Sequence, residues 1–129
     1  MQKILIVDDQ LEVRKLVEAT LRIGDFEIIQ AASGDEALAI ARIEKPDLIL
    51  LDVMMPNSAL DGYEICRLLK SSPETHDITI IMLTAKGQEE DREQGFAAGA
   101  DDYFSKPFSP LELMDKVSEV LAWKKSQIA

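Results

Sequence analysis

A single cysteine, Cys66, is all that this chain of 129 residues contains. One thiol cannot build an internal disulfide framework, and its isolation suits a reducing cytosol. Basic residues are also scarce: 14 Lys and Arg stand against 24 Asp and Glu, for a formal net charge of −10. Such a surface repels DNA phosphates and anionic lipid, which argues against nucleic acid or a membrane as a direct partner. No apolar run approaches the ~18 residues that a membrane-spanning helix needs. The opening MQKILIVDD turns acidic too soon to be a secretory signal. Internal repeats, linkers and low-complexity segments are absent too. These absences predict a cytoplasmic protein. What is present, 47% hydrophobic and 29% charged residues, suits one globular domain with one core.

Short apolar runs alternate with helical patterns. Ile4–Val7, Glu27–Ala31, Asp47–Leu51, Ile78–Leu83 and the weaker Asp102–Ser105 read as strands, the second nearer an edge. Continuous rather than alternating hydrophobicity marks strands covered on both faces. Four helix starts match a capping box, at Asp9–Glu12, Ser33–Glu36, Asp61–Glu64 and Ser109–Glu112. Pro110 then takes the first helical position. Leu111, Met114, Val117, Val120 and Leu121 form the stripe of the last helix, and Gly24 and Gly99 read as helix stops. A polar helix over about Gln88–Ala98 should be the most exposed and mobile. Five strand–helix alternations predict a parallel α/β sheet with helices on both faces and right-handed crossovers.

Ligands of such sheets bind beyond the carboxyl ends of the strands. Asp8 and Asp9 follow the first strand, Asp52 ends the third, Thr84 and Ala85 follow the fourth, and Lys106 and Pro107 the fifth. Three carboxylates crowded together repel, and a hard divalent cation with oxygen ligands resolves the repulsion; Mg²⁺ favours one or two carboxylates plus waters and a phosphate oxygen. Lys106 offers a point charge for a phosphoryl oxygen, and Thr84 a hydrogen bond. Asp52 is then either a ligand only or a nucleophile that becomes an aspartyl-phosphate.

The stretches ILIVDD, PDLILLDVMMP, DGYEICRLLK, IIMLTAK and GADDYFSKPF occur in that order across nearly the whole chain. Together they resemble the receiver domain of bacterial two-component response regulators. The resemblance implies a flavodoxin-like (βα)5 three-layer sandwich with strand order 2-1-3-4-5, a receiver domain over residues 1–123, and a tail or linker start at 124–129. It implies Asp52 as phosphoacceptor, with Asp8, Asp9 and the backbone carbonyl of Met54 supporting Mg²⁺, for which Mn²⁺ can stand in. Thr84 matches the switch hydroxyl, Tyr103 the switch aromatic and Lys106 the phosphoryl-pairing lysine, in a Lys106-Pro107 peptide that is usually cis. The implied donor is a histidine kinase or histidine phosphotransfer protein docking near the first helix, where Val13, Leu16 and Val17 make an apolar stripe. The implied readout runs from about Gly87 to Trp123, toward a downstream effector or output domain. Arg92, Asp101, Asp102 and Lys116 partly match charges that pair across dimers, which suggests a phosphorylation-linked homodimer.

One stretch departs from the pattern. Four residues, Asn57 to Leu60, separate Met55-Pro56 from Asp61-Gly62, where the family usually has two. The longer loop bears on solvent access to Asp52 and on which kinase surface fits there. Two rival functions are weighed against the receiver reading. A Mg²⁺-dependent aspartyl-phosphate phosphatase would carry an acid/base Asp two residues after the nucleophile, where this chain has Met54, so no turnover beyond slow self-dephosphorylation is expected. A flavin carrier would need a Ser-, Thr- and Gly-rich loop where Asp8-Asp9 stands. Asp9 can cap the first helix, support the metal, or do both. His76 reads as a solvated loop residue, Cys66 as core-edge packing, and Phe96, Met114 and Trp123 as helix packing. The run Glu89–Glu93 reads as a solvated face or a partner surface.

Overall fold

The structure, a computed structural model, describes residues 2–56, 58–85, 89–106 and 108–128. Strands β1 (Gln2–Val7), β2 (Phe26–Ala31), β3 (Leu48–Asp52), β4 (Thr79–Ala85) and β5 (Asp102–Lys106) alternate with helices α1 (Leu11–Leu21), α2 (Gly34–Glu44), α3 (Gly62–Ser71), α4 (Glu89–Ala97) and α5 (Pro110–Ile128). All strand pairs are parallel, in the order β2-β1-β3-β4-β5. This is the flavodoxin-like arrangement that the family resemblance implies, built on the parallel sheet that the apolar runs predict.

The apolar runs fill the middle of the sheet. Ile4–Val7, Leu48–Leu51 and Ile80–Leu83 are all fully buried, as continuous hydrophobicity requires of strands covered twice. Side chains alternate across the sheet. Leu5, Val7, Ile49, Leu51 and Met82 meet Ala37, Ala41, Ile65 and Leu69 on the α2–α3 side. Ile4, Ile6, Leu48, Leu50 and Leu83 meet Val17, Leu21, Leu113 and Val117 on the α1–α5 side. Each fully buried Leu or Ile contributes about 1.5–3 kcal/mol of transfer free energy. Strand β2 lies on an edge and is only partly buried, as its mixed composition suggests.

Three helix starts behave as capping predicts. Ser33 accepts from the Glu36 N–H, Ser109 from the Glu112 N–H, and Asp61 with Glu64 forms a complete capping box. The first does not. The Asp8 carboxylate accepts the Gln10 N–H at 2.9 Å, turning the chain so that Gln10 becomes the N-cap, without a side-chain cap bond. Asp9 is therefore not the cap. Leu111 is also misplaced by the sequence reading: it is 72% exposed, while Leu113 is fully buried with Val117, Val120 and Leu121. At about 100° per residue, Leu111 points roughly 200° away from Leu113. Gly99 stops α4 with φ +101°, but Gly24, beyond α1, has no positive φ; α2 ends in a left-handed Lys45 with φ 45°. Phe96 and Trp123 are half exposed or more, and Cys66 lies fully inside the core rather than at its edge. Pro107, and with it the Lys106-Pro107 bond, lies outside the described residues, as do the side chains of Arg92 and of Glu89 to Asp91. Among the described residues no helix is long and apolar enough to cross a membrane.

Candidate functional site

Strand parity collects the site. In β1, Ile4 and Ile6 face α1 and α5, so Asp8 emerges on that side. Leu48 and Leu50 bring Asp52 out on the same side, and Phe104 does so for Lys106. Crossing three strands, the Lys106 Nζ stands 2.8 Å from Asp8 Oδ2 and 3.3 Å from Asp52 Oδ1. Asp8 is fully buried and Asp52 is 5% exposed. The Met54 N–H donates to Asp52 Oδ1 at 3.3 Å.

Burial raises the Asp52 carboxyl to a pKa of about 6. The Lys106 ammonium opposes that rise and the Asp8 charge adds to it. Burial works against the charge of Lys106 as well, but its hydrogen bond to Asp8 and the charges of Asp52 and Asp8 outweigh it, and its pKa ends above the ordinary value. One ammonium thus bridges two carboxylates and leaves the cluster negative. Carboxylate oxygens of Asp8, Asp9 and Asp52 lie within 4.8 Å of one another. An all-oxygen set with uncompensated negative charge fits a hard dication such as Mg²⁺, so these three residues can hold one.

Two contributors are given no role by the sequence reading. Arg14 donates to the Asp8 carbonyl at 2.7 Å and to Gln30 Oε1 at 3.1 Å, tying α1 and β2 to the aspartate doublet. Gln30 in turn donates to Glu18. Gly62 lies against the Asp52 main chain: a Cβ there would stand 2.4 Å from the Asp52 carbonyl oxygen and 2.8 Å from Val53 Cα. Spacing shows neither contact, because both depend on tertiary approach.

Thr84, at the end of β4, is 3% exposed. Its parity follows Met82, and Met82 pairs with Tyr103, so the strands direct Thr84 and Tyr103 to the α3–α4 side, away from the Asp52 face. Tyr103 packs partly buried there, edge-on to Phe96, with ring centroids 5.4 Å apart. Above Asp52 opens a cleft of about 680 Å³ whose apolar rim includes Val13, Leu16, Met54, Pro56 and Phe108. Val17, expected on the docking stripe, is fully buried in the α1–α5 core instead, leaving Val13 and the 46% exposed Leu16 at the rim. A helix stripe that faces both sheet and cleft cannot be divided by spacing alone.

Comparison with known proteins identifies the fold and the family. Residues 4–118 match the response regulator receiver domain family. The probable transcriptional regulator ycf27 of Porphyra purpurea is 49% identical over 120 residues, which cover 93% of this chain and 47% of that protein. The phosphate regulon transcriptional regulatory protein PhoB of Pseudomonas aeruginosa is 47% identical over 118 residues, 92% of this chain and 51% of that one. The chain thus spans about half the length of these curated relatives. Among solved structures, a putative response regulator from Chloroflexus aurantiacus superposes with a TM-score of 0.88 at 41% identity, covering 94% of this chain and 98% of that one. The chemotaxis response regulator CheY4 of Vibrio cholerae does so with 0.86 at 35% identity, covering 93% and 98%. With the family match reaching into all five strands and the buried acidic edge lying inside it, this chain belongs to the response regulator receiver domain family.

Proposed function

We propose that the chain accepts a phosphoryl group on Asp52 from a histidine kinase or histidine phosphotransfer protein and relays its presence to a downstream effector or output domain. The observation that carries this reading is the Lys106 ammonium held between Asp8 and Asp52 at a buried sheet edge. Asp52 Oδ1 is occupied by Lys106 and the Met54 N–H, so attack on phosphorus falls to Oδ2. A P–O bond forms, the P–N bond to the donor histidine breaks, and its electron pair stays on the imidazole nitrogen. Lys106 then faces the new phosphoryl oxygens. Asp8, Asp9, Asp52 and the Met54 carbonyl would hold Mg²⁺, which neutralises charge on the transferring group when bound. With a pKa of about 6, Asp52 is mostly carboxylate at neutral pH and ready to attack.

Thr84 would move toward the phosphoryl group, and Tyr103 on the same face of the sheet would follow, shifting a two-state equilibrium at α4, β5 and α5. The donor would seat on the cleft rim around Val13, Leu16 and Phe108. The relatives are named as transcriptional regulators, which supports an output module of that kind downstream, whereas the net charge of −10 argues against DNA contact by this chain. On the output face Asp102 pairs with Lys116 at 2.9 Å and Asp101 with Lys70 at 2.7 Å, so a phosphorylation-linked dimer built on these charges exchanges pairs within the chain for pairs across it. A cytoplasmic setting fits the buried free Cys66. Met54 offers no acid/base group, so the domain is not a turnover phosphatase.

The test is incubation with acetyl phosphate and Mg²⁺ followed by intact mass. One added phosphoryl mass, absent with EDTA and in Asp52→Asn, supports the reading. No addition at any Mg²⁺ concentration refutes it, and continuous phosphate release over many turnovers favours the phosphatase.

A further inference from the structure

The lengthened loop after Asp52 is fastened to a helix that carries none of the site residues. The Ser58 N–H donates to the Met55 carbonyl at 3.0 Å, closing a turn. The Ser58 Oγ accepts the Gly34 N–H at 2.9 Å. Gly34 is the first residue of α2, where backbone N–H groups lack acceptors within the helix. Ser33 already caps the Glu36 N–H, so Ser58 satisfies a second one from another part of the chain. The approach is close: a Cβ on Gly34 would stand 2.9 Å from Ser58 Oγ and 2.8 Å from Ile65 side-chain carbons. Further along the loop, Leu60 packs on the α2–α3 core, and the Gly62 N–H returns to the Val53 carbonyl at 3.2 Å. Met54, with its side chain 69% exposed, lies between the Ser58 tie and Asp52.

Resting on the function proposed above, we infer that Ser58 is a positioning residue for the phosphoryl site. By anchoring the longer loop to the α2 N-terminus, it fixes the Met54 main chain beside Asp52, and so sets metal affinity and the lifetime of the aspartyl-phosphate. Ser58 touches none of the reacting atoms; it acts through Met55 and Met54. Its neighbour in this arrangement, Gly34, leaves the room that the tie requires.

Three variants of the whole chain test this: Ser58→Ala, which removes the acceptor; Ser58→Thr, which keeps a hydroxyl; and Leu111→Ala, a surface control. Mg²⁺ alone is titrated while the Met54 and Asp52 amide signals are followed by NMR. Hydrogen exchange of the Gly34 amide is measured in the same samples, and loss of label from acetyl-phosphate-treated protein gives the phosphoryl lifetime. Ser58→Ala is expected to weaken Mg²⁺ binding by about tenfold, the low end for a residue that orients metal ligands. It should also speed exchange at Gly34 and shorten the phosphoryl lifetime, with Ser58→Thr restoring all three. If the parent chain binds Mg²⁺ and takes up phosphoryl, and Ser58→Ala matches it within twofold in affinity and lifetime, the positioning role is wrong while the proposed function stands. If the parent chain does neither, the reading of the site fails, and the role of Ser58 falls with it.

Discussion

Replacing Asp52 by Asn should stabilise the metal-free fold. Burial lifts the Asp52 carboxyl from 3.8 to about 6, even with Lys106 alongside. At about 1.4 kcal/mol per pKa unit, the charged form burdens the folded state by about 3 kcal/mol at pH 7. Asp52 opens onto a solvent-filled cleft, which screens part of that, and Asn gives up the 3.3 Å contact with Lys106. A net gain of about 1–2 kcal/mol is expected. The sign follows from the direction of the shift. A raised carboxyl penalises the fold above pH 6, the penalty shrinks as pH falls through about 6 and Asp52 takes up a proton, and it is gone below 3.8.

The assay is urea unfolding with EDTA at pH 7.5 and at pH 4.5, comparing midpoints at unchanged slope. Asp52→Asn should exceed the parent at pH 7.5, and the gap should narrow at pH 4.5. Adding Mg²⁺ at ten times its dissociation constant should stabilise the parent by about 1.4 kcal/mol and Asp52→Asn by less, closing the gap from the other side. A variant less stable than the parent in EDTA at pH 7.5, or a gap that does not change with pH, would refute the reasoning.

Three further outcomes follow from the same geometry. Lys106→Met removes the ammonium between Asp8 and Asp52; the Asp52 pKa should rise further, read by carboxyl NMR titration, and phosphoryl uptake should slow at least tenfold. Gly62→Ala puts a methyl 2.4 Å from the Asp52 carbonyl oxygen, a backbone atom that cannot swing aside, so denaturation should show a loss of about 1–3 kcal/mol and intact mass a lower phosphoryl yield. Leu113→Ala should lower stability by about 2–5 kcal/mol, whereas Leu111→Ala should stay within about 0.5 kcal/mol; equal losses would put the wrong face of α5 against the sheet.

The strands were legible because a doubly covered strand leaves an uninterrupted apolar run that no surface helix imitates. Asp8 and Asp52 were legible for a related reason, since each stands where such a run stops; Lys106 ends the weaker, partly buried β5 and was read from the stretch GADDYFSKPF. The α5 face was not, because apolar residues at 111, 113, 114, 117, 120 and 121 admit two overlapping stripes, and only packing against the sheet selects Leu113 over Leu111. The start of α1 misled because two adjacent aspartates compete for one turn. Asp8, although buried, keeps an oxygen for the Gln10 N–H, and the helix begins one residue too late for Asp9 to cap it. Arg14, Gly62 and Ser58 act across 6, 10 and 24 residues of chain, as bonds and close approaches to Asp8, Asp52 and Gly34 show. Gly62 lies in the DGYEICRLLK stretch but with no role assigned there, and Arg14 and Ser58 are ordinary for their positions, so nothing local marks these contacts.

Strand parity also separates the acidic edge from the residues of the proposed switch. Asp8, Asp52 and Lys106 emerge on the α1–α5 side, whereas Thr84 and Tyr103 follow the parity of Met82 toward the α3–α4 side. A new anion on Asp52 is therefore on the other side of the sheet from the aromatic ring that would report it. A residue that reaches across would stand near the end of its strand, and Thr84 does, buried and paired with Ser105 one rung before Ala85 and Lys106. Under the proposed function, rotation of Thr84 toward Asp52 would be followed by the Tyr103 ring, which is held edge-on against the half-exposed Phe96. The interior of the sheet is close-packed and resists gradual deformation, so such an exchange at its rim would favour two discrete arrangements over a continuum.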